Sequence, residues 1–139
     1  MNRGGRRKPV DPSSFLKYRD VGRALRNSAN DLATLSEDGA EYGNATGICA
    51  IHACIAYSDA ICIKLGGFKS SEGEHIRAAD ALREVLGNRL DEGALKAFRR
   101  ALSQKDQISY QGDYYTVDEA RRVVDDMNTF CDWAHAMLG

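Results

Sequence analysis

Between Ile48 and Leu65 the chain has almost no polar face, reading Ile-Cys-Ala-Ile-His-Ala-Cys-Ile-Ala-Tyr-Ser-Asp-Ala-Ile-Cys-Ile-Lys-Leu. Strict two-residue alternation fails here, and apolar or small residues fill nearly every position of a 3.6-residue wheel. That pattern predicts a helix covered by other helices. At 1.5 Å per residue it spans about 27 Å. His52, Tyr57, Ser58 and Asp59 interrupt the run, which argues against a membrane span, where ionisable groups are expensive and about twenty clean apolar residues are needed.

The flanking segments carry the weaker periodicity of half-buried helices. Asp11 and Pro12 form an N-cap and first-turn proline, and Tyr18, Val21, Leu25, Ser28, Leu32 and Leu35 recur at three- and four-residue steps, giving a first helix over 12–36. Its other face, with Lys17, Arg19, Arg23, Arg26, Asn30 and Asp31, reads as solvent-facing charge. The turn-rich run from Asp38 to Asn44 separates it from the central helix, with Asn44 as the cap. Gly66-Gly67 stops that helix, and Ser71 with Glu74 fits a capping box opening a third helix from about Glu72 to Leu86, its inner face formed by Ala78, Ala79, Leu82, Val85 and Leu86. A short fourth helix carries Leu95, Phe98 and Leu102.

From Gln104 to Tyr115 the chain is polar and tyrosine-rich, a connection of the length that in compact domains is functional or mobile. Thr116 with Glu119 is a second capping box. It opens a last helix with Ala120, Val124, Met127, Cys131, Ala134 and Leu138 on one stripe. No segment reads as a strand, so the expected fold class is all-α, an up-and-down bundle of four to five helices.

The 139 residues suffice for one domain with its own core. Residues 1–10, polar and aperiodic, read as a disordered basic tail, with residues 11–139 as the single folded domain. Arg3, Arg6, Arg7 and Lys8 concentrate positive charge in that tail, so a net charge of -1 leaves the remainder at -5. Such a balance supplies no bulk field for nucleic acid, and RNA binding would need a local patch. No secretory signal is visible, and the expected location is cytoplasmic. Cys49, Cys54, Cys62 and Cys131 form no Cys-x-x-Cys pair and read as buried reduced thiols.

The residue patterns that carry common chemistry are missing. Gly66-Gly67-Phe68 lacks the spacing and lysine of a P-loop. Glu72 with His75 is a single Glu-x-x-His without the second copy a di-metal bundle needs, so no metal and no cofactor are expected. Asp59 stands out, because a carboxylate within an apolar helix needs a partner. His52, seven residues earlier on the same face, and His75, at the start of the third helix, are the candidates for a structural polar network.

The order Ala50-Ile51-His52-Ala53-Cys54-Ile55, Ala56-x-x-Asp59-Ala60, Leu65-Gly66-Gly67, then a loop ending in His75, resembles the HEPN superfamily, the higher eukaryotes and prokaryotes nucleotide-binding domains. The likeness covers about residues 12–138 and implies a helical bundle that commonly forms a two-fold homodimer. Ribonuclease members resemble one another in an arginine, a polar residue and, four to six positions on, a histidine. The matching place here is Lys105-Asp106-Gln107-Ile108-Ser109-Tyr110, with lysine for arginine and tyrosine for histidine. Lysine still holds phosphate as a point charge, whereas tyrosine titrates near pH 10 and is a poor base. The resemblance therefore implies a non-catalytic domain that binds a nucleotide, RNA or protein partner through Lys105, Asp106, Tyr110, Tyr114 and His75. Its setting would be a toxin-antitoxin or defence module, the partner a nucleotidyltransferase, and Tyr110, Tyr114 and Tyr115 the candidate targets of transfer. The alternative is a metal-independent endoribonuclease with Lys105 holding phosphate and Tyr110 or His75 assisting proton transfer.

Overall fold

The computed structural model describes residues 7–35, 40–70, 77–105, 108 and 114–139. Five α-helices occur among them: α1 Phe15–Leu35, α2 Ala40–Gly66, α3 Ala78–Leu86, α4 Glu92–Ser103 and α5 Val117–Leu138. Two three-residue strands, β1 Arg7–Pro9 and β2 Phe68–Ser70, pair antiparallel. The fold is all-α apart from that clasp.

α2 is the axis of the molecule. Ala50, Ile51, Ala53, Cys54, Tyr57, Ala60, Ile61 and Ile63 are all buried, and α2 packs against α1, α3, α4 and α5. Each fully buried isoleucine contributes about 1.5–3 kcal/mol of transfer free energy, and only a helix enclosed on several sides can bury so many. α2 is also long and apolar enough to cross a membrane, and 72% of its apolar window lies inside the fold. The turn after it forms as the glycine pair predicts: Gly67 takes φ +70° and its N–H donates to the Ile63 carbonyl at 3.0 Å.

Five expectations are corrected. α2 starts at Ala40, so Asn44 is an interior residue and not its cap. Strands are present, and residues 7–9 are one of them: Arg7 pairs with Ser70, Lys8 with Lys69 and Pro9 with Phe68, so the part of the expected tail that is described is docked. The Arg7 guanidinium also lies 4.2 Å over the Phe68 ring and forms an ion pair with Glu84, anchors that an aperiodic sequence does not announce.

The third correction concerns the inner face of α1. Val21 and Leu35 are 55% and 77% exposed, while Gly22 and Ala29 are buried. Small residues win because α1 and α2 approach closely: a Cβ on Gly22 would sit 2.9 Å from the Tyr57 ring. Fourth, Arg26 and Asn30 do not face solvent. Arg26 Nε donates to Asn128 Oδ1 at 3.0 Å, the Asn30 and Asn128 amides exchange hydrogen bonds at 3.1 and 2.9 Å, and Arg26 pairs with Asp132, stitching α1 to α5.

The later helices keep the expected inner faces, but α3 begins at Ala78, with Arg77 before it and no side-chain cap, and not near Glu72. Asp91 caps α4 by accepting from Ala94 N–H at 2.9 Å. Thr116 and Glu119 form the reciprocal capping box of α5, a device worth about 1 kcal/mol. The expected α5 stripe is buried throughout. Ser71, Glu72 and Glu74 lie outside the described residues.

Candidate functional site

After α4, Ile108 and Tyr115 are both tied to the N-terminal half of α2 by Asn44. Asn44 Nδ2 donates to the Ile108 carbonyl at 3.0 Å, while its Oδ1 accepts the Tyr115 N–H at 2.9 Å. One side chain thus secures two points of the connection seven residues apart. Two glycines one turn apart make room. A Cβ on Gly43 would lie 1.9 Å from the Tyr115 carbonyl oxygen, and one on Gly47 would lie 2.8 Å from Ile108 Cδ1. This is why a segment with turn-like composition is helical here: contact with the connection outweighs the weak helix propensity of glycine.

Tyr115, buried, turns its hydroxyl back to donate to Gln104 Oε1 at 2.9 Å. Burial pushes this hydroxyl above its usual range, with Glu119 adding to the rise and Arg122 opposing it. Gln104, Tyr115, Glu119, Arg122 and Val123 line a shallow cleft of about 140 Å³. Tyr114, next in the chain, is 75% exposed.

Lys105 lies at the start of this connection, within electrostatic range of His52 on α2. Partial burial holds the His52 imidazole below its ordinary range, and the Lys105 charge lowers it further. The Lys105 charge thus reaches an imidazole from a distant part of the sequence. Of the other residues expected at the site, Tyr114 is at the surface beside the cleft, and His75, Asp106 and Tyr110 lie outside the described residues. Sequence spacing did not point to Asn44, Gln104, Glu119 or Arg122, since their meeting depends on the tertiary path of the connection.

Asp59 is 7% exposed, as burial in the apolar helix requires, and no hydrogen bond or ion pair joins it to His52 among the described residues; His75, the other expected partner, lies outside them. Burial pushes the Asp59 carboxyl up to about 7, against the opposing charge of Lys69. Below that value the carboxyl is mostly neutral, the form whose burial costs least. Cys54, Cys62 and Cys131 are buried and Cys49 is half-buried, all free; burial and the neighbouring Cys131 push the Cys54 thiol well above its usual range. Among the described residues no group of three or more His, Cys, Asp or Glu side chains converges as a metal site.

No protein-family model matches the chain, and no curated protein or solved structure matches it.

Proposed function

We propose that this chain is a non-catalytic binding domain of the HEPN type whose Lys105–His52 surface takes a phosphate-bearing ligand, a nucleotide or an RNA. The observation that supports the reading is that Asn44 ties Ile108 and Tyr115 to α2, while the Lys105 charge acts on the α2 imidazole of His52 and among the described residues no carboxylate does. A phosphate beside them would be attracted by the Lys105 charge and would favour protonation of His52, offsetting the depression that Lys105 imposes. The connection that bears Lys105 is held to α2 through Asn44, which reduces the ordering cost of binding. Lysine at 105 supplies a point charge, which suits phosphate binding.

Titration of the protein with a nucleotide and with a short RNA, at low and at high salt, tests the reading. Affinity should fall with salt and fall again in Lys105→Ala and His52→Gln. Unchanged affinity in Lys105→Ala, or no binding at low salt, would remove this surface from the function. Incubation with structured and single-stranded RNA in EDTA should leave the RNA intact; cleavage that is lost in Lys105→Ala would replace the binding reading with a ribonuclease.

A further inference from the structure

α1 carries two stripes. Gly22 and Ala29 are buried against the fold, Gly22 beneath the Tyr57 ring of α2, and Arg26 and Asn30 tie the helix to α5. Beside them Tyr18, Val21, Leu25, Ser28, Leu32 and Leu35 follow one another at alternating steps of three and four residues. These are the a and d positions of a heptad held through three successive pairs, the spacing of a seam between two helices. The fold does not close the seam. Val21 and Leu35 are more than half exposed, Ser28 is exposed, and Tyr18, Leu25 and Leu32 are half-buried. Apolar side chains therefore stand wholly or partly in water along about 26 Å of helix.

The charge along the flank of the seam says what covers it. The residues just before each a position are Lys17, Ala24 and Asp31, seven apart and all exposed. Neither Lys17 nor Asp31 forms an ion pair among the described residues; the Lys17 ammonium lies 5.8 Å from the centre of the Tyr18 ring. Each also stands near the end of α1 that its charge suits least, the cation towards the N-terminus and the anion towards the C-terminus. A parallel copy of α1 would gather two lysines at one end and two aspartates at the other. An antiparallel copy does the reverse. Turned about a two-fold axis at Ala24, it sets Lys17 beside the partner's Asp31 and Asp31 beside the partner's Lys17, and each charge then meets the favourable end of the opposite helix.

We propose that α1 is the surface through which two copies of this chain associate, antiparallel about a two-fold axis near Ala24, with Val21 and Leu25 at the centre of the covered seam and two Lys17–Asp31 ion pairs at its flank. A two-fold contact needs a surface that complements itself, and Lys17, Ala24 and Asp31 do so: reversing the helix exchanges the signs. The face lies apart from Lys105 and His52 and does not depend on the reading given to them.

The test is sedimentation equilibrium of the intact chain at low salt, from about 1 to 100 µM, where a reversible dimer is expected. Val21→Gln and Ala24→Glu, both at exposed positions, should raise the dimer Kd about tenfold or more while leaving the helical circular dichroism in place. Leu16→Gln removes an exposed apolar side chain outside the seam and should leave the Kd unchanged. Charge exchange reads the orientation. Lys17→Asp and Asp31→Lys should each weaken self-association several-fold, the two single variants mixed together should pair with each other, and the double variant should recover the parent Kd. A monomer at about 100 µM would overturn the proposal and leave the seam to a different protein, and so would a dimer that Val21→Gln and Ala24→Glu leave intact. Single charge variants that self-associate as well as the parent would overturn the antiparallel arrangement. If Val21→Gln or Ala24→Glu fails to fold, the mixing of Lys17→Asp with Asp31→Lys decides, since both replace exposed residues.

Discussion

Asn44 and Tyr115 are joined by a hydrogen bond of 2.9 Å between the Asn44 side-chain oxygen and the Tyr115 backbone N–H, and the same amide donates to Ile108 across the connection. Replacing Asn44 with alanine leaves one backbone donor and one backbone acceptor short of a partner in a half-buried setting. The expected loss is about 2 kcal/mol of unfolding free energy. Urea denaturation of Asn44→Ala beside the parent measures it. Asn44→Asp should cost less, because it keeps the acceptor for Tyr115.

The two glycines beneath the connection should respond differently to alanine. At Gly43 the added methyl meets backbone, 1.9 Å from the Tyr115 carbonyl oxygen, so the connection must lift off α2. At Gly47 it meets the far end of the Ile108 side chain, which can rotate away. Gly43→Ala should therefore lower the thermal midpoint by several degrees, equivalent to about 2 kcal/mol or more, and Gly47→Ala by about 1 kcal/mol or less. Equal midpoints in the two variants would contradict this geometry.

Stability should rise as pH falls from about 7 towards 4, the reverse of ordinary acid denaturation, to the extent that Asp59 governs it. Its folded carboxyl is pushed up to about 7, above the usual carboxylate range. The folded state thus binds this proton more tightly than the unfolded chain does. The stabilisation is complete below the unfolded pKa and lost as pH rises through the folded one, with an upper limit of about 4 kcal/mol. Asp59→Asn should flatten that slope, and Asp59→Leu should be tolerated better than Asp59→Ala because it fills the volume. Chemical denaturation at a series of pH values gives the slope directly.

Removing the charge at Lys105 should raise the His52 pKa towards the ordinary histidine range, since Lys105 is one of the two causes of its depression, after burial. An NMR titration of the His52 ring in the parent and in Lys105→Ala reads the shift. A ligand phosphate should raise the same pKa, so binding should tighten as pH falls through the His52 titration.

Much of the scaffold is legible in the sequence where a local rule coincides with the tertiary demand. α2 is recognisable because it is apolar all round, α5 because Thr116 and Glu119 declare its start, and the end of α2 because Gly67 takes a positive φ. Legibility fails where packing overrides propensity. Gly43 and Asn44 look like a turn and are helical, because one admits the Tyr115 backbone and the other binds it. Val21 looks internal and is exposed, because the close approach of α1 to α2 selects Gly22 and Ala29 for the contact. The candidate site is less legible still. Lys105 acts on His52 from a distant part of the chain, so no spacing rule could have joined them.

The β1–β2 clasp has a consequence for how copies of this protein treat one another. Pro9 brings no N–H to the pairing, and Lys8 stands opposite Lys69, so the outer edge offers poor terms to a further strand. Loss of residues through Pro9 would leave Phe68–Ser70 as a bare edge beside the partly buried Phe68 ring, able to recruit the same segment of a neighbouring molecule. The first strand is thus a guard against self-templating as well as a tether, and trimming the chain at this end should show itself first as aggregation.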